Sequence, residues 1–508
     1  MLFLATWDLL VQEDVILFLL LTEVVLLVVA LTLLVALMDL LVEDAVIQLQ
    51  GTCSTVGGGG DNTAGTIAVV AGGSSNVASG QRSAIGGGHA NTASTNYGVI
   101  GGGYNNSNTG YASTLSGGYL NNVSGTQSVI GGGRANTNSG YRSFIGGGQN
   151  NGASSTCTSI VGGYGNQATA SHASIGGGQS NTASGVWSAI KGGYGNVASG
   201  CASMVGGYGN SATGCGTFIG GGYSNAAISW GSVVVGGTTN TACGPYKAAV
   251  VGGASNTASG YYSFIGAGYN NRICGVYAST ISGGYQNVIS GGCHGVIGGG
   301  RVNVLTGNHG TIGGGITNNM VGHCSTISGG CNNVGSASLS SIGGGYGNIG
   351  SGSSSTIAGG YGNSASGAYS FVGGGNNNSA CGSYSGAFGC SIIASAACTF
   401  YSNNFCACSC MFATAFYETS DCRLKNIHNT FSAYDGIHFS QFSWKTDTEN
   451  KSCFGYIAQE VEKILPNAVH NNIEGYKQVD YNQVNTYKLS KLEDRIAKLE
   501  DKLKKYEA

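Results

Sequence analysis

Single apolar residues recur along most of the chain at an interval of about 15 residues. Each is an isoleucine, valine or leucine followed by a glycine-rich run, and an asparagine comes six positions after all of them except Val205, where the spacing is five. Twenty-two of these anchors lie between Val56 and Val372. Around an anchor, as in Ser143-Phe144-Ile145, successive side chains of an extended chain point to opposite sides. The pattern therefore predicts a short strand in every unit.

A repeat this regular predicts a parallel β-solenoid in which each unit forms one coil. A single coil cannot bury its own apolar face, but stacked coils share a continuous core. Glycine allows the chain to turn at positive φ, and asparagines at equivalent turns can stack as a ladder. We therefore expect a mainly β fold over residues 51–390, with about 22 coils of 15 residues. At the spacing of neighbouring strands, the shaft would be on the order of 100 Å long.

Two recurring elements of the unit carry a family resemblance. Ser-Ala-Ile-Gly at residues 83–86 and Ala-Ser-Gly at residues 183–185 are similar to the head repeats of YadA-type trimeric autotransporter adhesins. The resemblance covers about residues 52–390. It implies a left-handed parallel β-roll that assembles as a homotrimer. The 15-residue period and the triple glycine depart from the shorter adhesin unit.

The first 50 residues are strongly apolar and lack the repeat. Their longest uninterrupted run, from Val24 to Met38, has 15 residues, which is fewer than the roughly 20 needed to span a bilayer. Extension of the run towards the N-terminus includes Glu23, and no Lys or Arg flanks it. Two expectations stay open for residues 1–50. One is a membrane anchor within residues 16–38, and the other is the frameshifted remnant of a collagen-like stalk.

Composition and charge reduce the number of functions that the repeats could have. The chain has 93 glycines but only 2 prolines, which excludes collagen, and its formal net charge of -2 gives no indication of nucleic-acid binding. Between residues 51 and 410 the one acidic residue is Asp61. A glycan-degrading enzyme needs a pair of carboxylates, so that class is disfavoured. Binding of a host-surface glycan or receptor needs no carboxylate and stays open.

The cysteines do not indicate a disulfide framework or a metal site. There are 17, without a regular spacing, so assembly in a reducing compartment is expected. Cys406, Cys408 and Cys410 would share one face of a strand, but neither a histidine nor a fourth cysteine follows at zinc-finger spacing. No cofactor and no metal are predicted.

Histidines and tyrosines of the repeats are interpreted as structural. Histidines such as His172 and His309 are taken to occupy no common position in the unit and are expected in exposed turns. Tyrosines such as Tyr104, Tyr164 and Tyr194 are expected to pack beside glycine. An aromatic stripe that binds sugars is the alternative.

From residue 420 onwards the composition is that of an ordinary globular domain. Residues 455–466 predict an amphipathic helix that ends at Pro466. The final helix has apolar residues at spacings of three and four, the heptad pattern of a coiled coil. These seam residues are Leu489, Leu492, Ile496, Leu499, Leu503 and Tyr506. Charge pairs such as Lys488 with Glu493 favour parallel, in-register association of residues 488–508. A solvated helix with intrahelical ion pairs is the alternative.

Four motifs of this segment occur in the order of a known family. They are Ser420-Asp421-x-Arg423-Leu424-Lys425, Trp444-Lys445, the stretch from Gly455 to Val461, and Val479-Asp480-Tyr481. With the heptads, they resemble the intramolecular chaperone auto-processing domain of phage tailspikes and endosialidases, the peptidase S74 family. The resemblance covers residues 420–508. It implies a small α+β domain at 420–487 that trimerises, templates the folding of the upstream fibre and then cuts itself off.

The same resemblance implies roles for individual residues. Ser420 would be the nucleophile, Lys425 the general base, and the bond between Thr419 and Ser420 the one cleaved. A serine hydroxyl is a poor nucleophile at neutral pH, and a lysine can activate it only if desolvation keeps the amine neutral. Five residues apart, the two side chains do not share a face of a helix or strand, so a turn or a neighbouring chain must bring them together. Ser420 as a helix cap is the alternative.

The sequence therefore predicts a trimeric structural fibre or adhesin-like shaft on a virion, matured by one self-cleavage before Ser420. Residues 391–419 would connect the shaft to the chaperone domain. The alternative is a membrane-anchored cell-surface adhesin whose C-terminal domain trimerises without cleaving. Enzymatic action on a foreign substrate is not expected. One departure from the family pattern concerns residues 425–427, where Lys-Asn-Ile is contiguous although the family has one more residue after the lysine.

Overall fold

The computed structural model describes residues 26–31, 47–403, 417–433, 435–447, 449, 451–471 and 475–507. The chain forms two compact units, Met1–Tyr401 and Ser402–Ala508. Residues 26–31 are helical and exposed, and the remainder of the candidate anchor at 16–38 lies outside the described residues. Within the ranges given above, no helix combines the length and the apolar character needed to cross a membrane.

The first unit is a solenoid made of two parallel ladders of 24 strands each. The anchor ladder contains the predicted apolar anchors and runs from Thr55–Val56 to Phe400–Ser402. The alanine ladder, named for its small inward residues, runs from Gln48–Leu49 to Ile393–Ala394. Strands of the two ladders alternate along the chain and are two residues long, apart from three near the end of the anchor ladder. Those three are Phe371–Asn376, Gly386–Cys390 and Phe400–Ser402.

Successive coils keep a constant register. In the anchor ladder, Val99–Ile100 pairs with Ala84–Ile85 on one side and with Thr114–Leu115 on the other, so each anchor lies on the anchor of the preceding coil. A third row of single bridges, the bridge row, joins positions such as His89 and Tyr104. Side chains of the short strands alternate between solvent and core, as expected from the sequence. For example, Val99 is 38% exposed and the adjacent anchor Ile100 is 0% exposed.

The predicted parallel β-solenoid is confirmed, with two more turns than the 22 anchors indicated. The additional anchor-ladder strands are Gly386–Cys390, where the sequence repeat fades, and Phe400–Ser402, which lies beyond the predicted end of the repeats at residue 390. Ala387 is buried at the first of these positions, and Tyr401 packs against the core at the second. Neither is a branched aliphatic residue, so a search for such anchors does not detect the final turns.

A ladder of buried asparagines runs through the solenoid and confirms the predicted stacking. Asn91 shows the pattern: Oδ1 accepts the backbone N–H of Asn106 at 3.0 Å, and Nδ2 donates to the carbonyls of Gly87 and Gly103 at 3.1 and 2.9 Å. Equivalent bonds recur from Asn62 to Asn378, and these asparagines are 0% to 1% exposed. Each amide thus satisfies buried backbone carbonyls of two coils.

The glycine three residues before each ladder asparagine is required by conformation and by space. Gly88 has a φ of 88°, and a Cβ there would lie 2.1 Å from the carbonyl oxygen of Gly103. A side chain at this position would therefore separate neighbouring coils as well as strain the backbone.

Three of the five histidines of the repeats share a turn position, so the sequence interpretation was wrong for these three. His172, His294 and His309 each lie three residues before an anchor, at a left-handed turn residue with φ of 60°, 56° and 55°. The rings of His294 and His309 stack with centroids 4.9 Å apart. The same position holds arginine, tyrosine, tryptophan or alanine in other coils, which hid the periodicity.

Large and small residues are matched across the core where the alanine ladder departs from alanine. Leu305 occupies an inward position of that ladder and is fully buried. In the adjacent coil, the core position that is serine in most units is Gly295, and a Cβ there would lie 2.7 Å from Leu305 Cδ2. The leucine therefore occupies the space that the serine fills elsewhere.

Replacement of Gly295 by serine, the residue most common at this position, should destabilise the solenoid. Overpacking of a well-filled core costs about 1–3 kcal/mol, and the added side chain would overlap Leu305. Gly299→Ser is the matched control, because a Cβ at Gly299 meets nothing within 4 Å. Thermal unfolding of the two variants measures the difference, and equal midpoints would contradict the packing explanation.

The second unit is α+β, as predicted. Numbered within this unit, its strands are β1 (Tyr417–Thr419), β2 (Lys425–Phe431), β3 (Phe439–Trp444), β4 (Cys453–Gly455), β5 (Val469–Asn471) and β6 (Lys477–Asp480). They form two antiparallel sheets with the orders β1-β6-β5 and β2-β3-β4. The helices are α1 (Ala458–Ile464) and α2 (Tyr481–Glu507), and 3-10 turns cover Cys422–Leu424 and Pro466–Ala468.

Both helices differ in extent from the sequence prediction. α1 begins only at Ala458, because the residues before it form β4 and pair with β3. α2 begins at Tyr481, well before residue 488. Asp480 Oδ1 accepts the N–H of Gln483 at 3.1 Å, which caps the helix, and Val484 is buried in the core of the unit. The cap at Asp480 and the burial of Val484 thus explain why the helix includes the polar residues before 488.

Candidate active site

Ser420 lies at the junction of the two sheets and α1. It follows β1, its N–H donates to the carbonyl of Lys477 at 3.0 Å, and its own carbonyl accepts the N–H of Ala458 at 2.9 Å. The residue is buried. Both peptide groups that flank the Ser420 Cα are therefore hydrogen-bonded, and this fixes the point from which the hydroxyl projects.

Asp421 anchors the chain directly after Ser420. Its carboxylate accepts bonds from the Arg423 side chain at 2.8 and 3.0 Å, from the Arg423 N–H at 2.8 Å and from the Lys477 N–H at 2.9 Å. The hydrogen bonds from the Arg423 side chain, followed by those from the backbone of Lys477 and Arg423, hold the pKa of Asp421 well below its usual range although burial opposes this shift. Asp421, rather than Ser420, caps the 3-10 turn, so the cap role considered for Ser420 is not the one it has here.

Lys425 is the first residue of β2 and is only 3% exposed. Its Nζ lies 3.4 Å from Ser420 Oγ and donates to the carbonyl of Tyr456 at 3.0 Å. The ring centroid of Phe442 is 3.7 Å from the same nitrogen. The 3-10 turn between Asp421 and Lys425 brings the two predicted residues together within one chain, without a contribution from a neighbouring chain.

This arrangement has the components of a Ser-Lys pair. Burial disfavours the charged ammonium, whereas the Tyr456 carbonyl and the Phe442 ring favour it. As a neutral amine, Lys425 can donate one hydrogen to the carbonyl and direct its lone pair towards the Ser420 hydroxyl. A separation of 3.4 Å is within the looser range found before a reaction begins.

A third side chain reaches the serine and was not assigned a role from the sequence. Tyr481 Oη lies 3.5 Å from Ser420 Oγ and accepts the N–H of Tyr456 at 3.1 Å. Tyr481 was recognised only as part of the Val-Asp-Tyr motif. The signal that could have identified it is the glycine of the Gly-Tyr-Ile motif, because a Cβ at Gly455 would lie 2.5 Å from the Tyr481 hydroxyl.

The predicted seam of α2 is exposed in the single chain. Leu489, Leu492, Ile496, Leu499, Leu503 and Tyr506 are all exposed. Lys488, expected to pair with Glu493 of another chain, lies instead 3.1 Å from Asp435 Oδ2 and donates to the carbonyl of Ile437 at 2.8 Å. Lys488 thus has partners within its own unit, and the association of the seam with its charge pairs stays a prediction.

The remaining candidate groups are the tyrosines of the solenoid, three closely spaced cysteines and Thr419. Bridge-row tyrosines are exposed and stack ring on ring, as at Tyr194, Tyr208 and Tyr223, with centroids 4.9 and 5.0 Å apart. Their ring faces pack against neighbouring rings and not only beside glycine. Cys406, Cys408 and Cys410 lie outside the described residues, as does the side chain of Thr419, whose backbone in β1 pairs with Gln478.

The low pKa of Asp421 predicts an acid-sensitive unit. Because the carboxylate is the stabilised form, its contribution is complete above the ordinary aspartate pKa of about 4 and is lost as the pH falls below that value. Calorimetry of the full chain should show the C-terminal transition moving to lower temperature from pH 5 to pH 3. In Asp421→Asn this transition should already be lower at pH 7 and change less with pH, whereas the exposed control Glu449→Gln should resemble the wild type.

Comparisons with known proteins bear on the C-terminal unit. No curated protein matches the chain. Residues 420–470 match the model of the Peptidase_S74 family, described as the chaperone of endosialidase. The matched segment begins at Ser420 and includes Lys425, β2 to β4 and α1, which confirms the resemblance seen in the motifs. The chain thus carries, after a β-solenoid of 24 turns, a segment of the endosialidase chaperone family.

Proposed function

We propose that the chain is the subunit of a homotrimeric fibre on a virion surface. The solenoid would form the shaft, and the C-terminal domain would align the chains and then release itself by cleaving between Thr419 and Ser420. One observation carries the proposal. The buried amine of Lys425 lies 3.4 Å from Ser420 Oγ, at the start of the segment that matches the endosialidase chaperone family.

The reaction is an acyl shift followed by hydrolysis. Neutral Lys425 takes the proton of Ser420 Oγ as this oxygen bonds to the carbonyl carbon of Thr419. The bond from that carbon to the Ser420 nitrogen breaks, and the lysine passes the proton to the departing amine. Water then attacks the ester carbon, the bond to Oγ breaks, and a proton from water returns to Oγ. The carboxylic acid left at Thr419 ionises, and Ser420 becomes an N-terminus.

The hydrogen bonds around Ser420 support this chemistry. The nitrogen of the proposed scissile bond is held by the carbonyl of Lys477, and the Ser420 carbonyl is held by Ala458. A nucleophile that is already fixed beside its base and its target loses little entropy on the way to the transition state. Since the attacked carbonyl belongs to the same chain, each domain would turn over once.

Ser420→Ala and Lys425→Ala should abolish self-cleavage. The first removes the nucleophile and the second the base, whereas Lys451→Ala removes an exposed lysine and serves as the control. Mass spectrometry of the purified full chain should show a released fragment of residues 420–508 for the wild type and the control only. A wild type that keeps its full mass would exclude self-cleavage, and a fragment from the Ser420→Ala chain would exclude Ser420 as the nucleophile.

The exposed seam of α2 supports the trimeric state. A coiled coil buries its a and d residues, and a lysine at one d position of a short seam leaves charged groups in that core. In the uncleaved Ser420→Ala chain, Leu499→Lys should weaken association by at least tenfold. Ala497→Lys, on the same helix but outside the seam, should leave the trimer intact. Sedimentation velocity measures both, and an unchanged trimer in Leu499→Lys would exclude the seam as the interface.

A further inference from the structure

The contact between Tyr481 and Ser420 joins the two ends of the C-terminal domain. Tyr481 is the first residue of α2 and lies 61 positions after the serine. Its hydroxyl accepts the N–H of Tyr456 at 3.1 Å, so the phenolic proton is available in another direction. Ser420 Oγ lies 3.5 Å away and can accept it. Because the Tyr456 N–H already occupies an acceptor site of the Tyr481 hydroxyl, this hydroxyl can act as the donor to Ser420 Oγ.

The surrounding residues fix the position of this hydroxyl. Gly455 provides the space, because a Cβ there would lie 2.5 Å from Tyr481 Oη. The rings of Tyr481 and Tyr456 pack with centroids 5.0 Å apart. One helical turn further along α2, Asn485 Oδ1 accepts the hydroxyl of Tyr456 at 3.1 Å. Since the Tyr456 carbonyl also accepts Lys425, the start of α2 supports both members of the Ser-Lys pair.

We propose that Tyr481 is a further catalytic residue of the self-cleavage reaction and makes it depend on the docking of α2. This inference rests on the proposed function. When Oγ gives its proton to Lys425, negative charge develops on this oxygen, and a donor already directed at it stabilises the charge. Tyr481 keeps its own proton throughout. The same hydrogen bond stabilises Oγ again when the ester is hydrolysed.

The consequence is a reaction timed by the helix that carries the seam. While α2 is not docked, Tyr481 is away from Ser420, and the Tyr456 side chain lacks its bond to Asn485. Docking supplies the phenolic donor and orders the carbonyl that holds Lys425. The domain would therefore cut only after the start of α2 has folded against it, which keeps the chaperone attached until then.

Tyr481→Phe, which removes only the hydroxyl, should slow self-cleavage by roughly 10- to 100-fold, at the lower end of the loss measured for a single oxyanion donor. Tyr487→Phe on the same helix is the control and should cleave at the wild-type rate. Rates are measured in the full chain by mass spectrometry after purification at low temperature. Sedimentation should show equal trimer content in both variants.

Two more variants separate a chemical role from a structural one. Gly455→Ala keeps the Tyr481 hydroxyl but pushes it away from Ser420. Because both variants then remove the same hydrogen bond, the Gly455→Ala/Tyr481→Phe double variant should cleave no more slowly than the slower single variant. Site-specific 3-fluorotyrosine at position 481, a more acidic donor of nearly the same shape, should raise the rate about twofold at pH 6–7. A packing role alone would not respond to the acidity of the phenol.

The outcomes distinguish the role of Tyr481 from the proposed self-cleavage by Ser420 and Lys425, on which it rests. A wild-type chain that does not cleave overturns both. A cleaving wild type with an equally fast Tyr481→Phe variant overturns the role of Tyr481 and leaves the Ser-Lys proposal standing. Slow cleavage together with loss of the trimer, additive effects in the double variant, or no response to fluorination would assign Tyr481 to structure and overturn the inference.

Discussion

The solenoid depends on the satisfaction of backbone carbonyls inside its turns. The glycine-rich turns contain partly buried carbonyls that need a hydrogen-bond partner, because an unpaired buried carbonyl costs on the order of 1–3 kcal/mol. A single buried asparagine such as Asn91 bonds to carbonyls of its own and the next coil and accepts an N–H. The glycine three residues earlier follows from this, because only a residue without a Cβ allows coils to approach that closely. The glycine and the asparagine therefore recur about every 15 residues, because each coil needs one such hydrogen-bonded turn.

The same rule applies to the buried polar groups of the C-terminal unit. Asp421 is buried and satisfied by Arg423 and by two backbone amides, so it stabilises the turn. Lys425 is equally buried, and its neighbours include the rings of Phe442 and Trp444, the Tyr456 carbonyl and the serine hydroxyl. The partners of Asp421 hold its carboxylate in the charged form, whereas those of Lys425 place its amine against the serine hydroxyl. Two buried residues of one motif therefore have different surroundings, and the proposed function assigns chemistry only to the second.

Local sequence patterns predicted much of the fold and of the candidate site. Contacts between segments that are distant in sequence could not be predicted in this way. The 15-residue period led to the solenoid and its asparagine ladder, and the ordered motifs led to Ser420 and Lys425. The sequence pattern did not predict the last two turns, because Ala387 and Tyr401 stand there in place of a branched aliphatic anchor. The hydroxyl of Tyr481 and the engagement of Lys488 by Asp435 arise from tertiary folding, across 61 and 53 positions of sequence. No periodicity encodes such contacts.

The asparagine ladder also has a direction, since each Oδ1 accepts the N–H of the asparagine in the coil that follows. At the last rung, Asn378 Oδ1 accepts the N–H of Ile392 instead. Every internal rung presents the same groups to its neighbours. Removal or duplication of a whole unit by recombination would therefore leave each remaining rung with an equivalent partner. The length of the solenoid is then set by the number of repeat units, which such recombination changes. Coils around Leu305 are the exception, because their matched large and small residues cannot be exchanged singly.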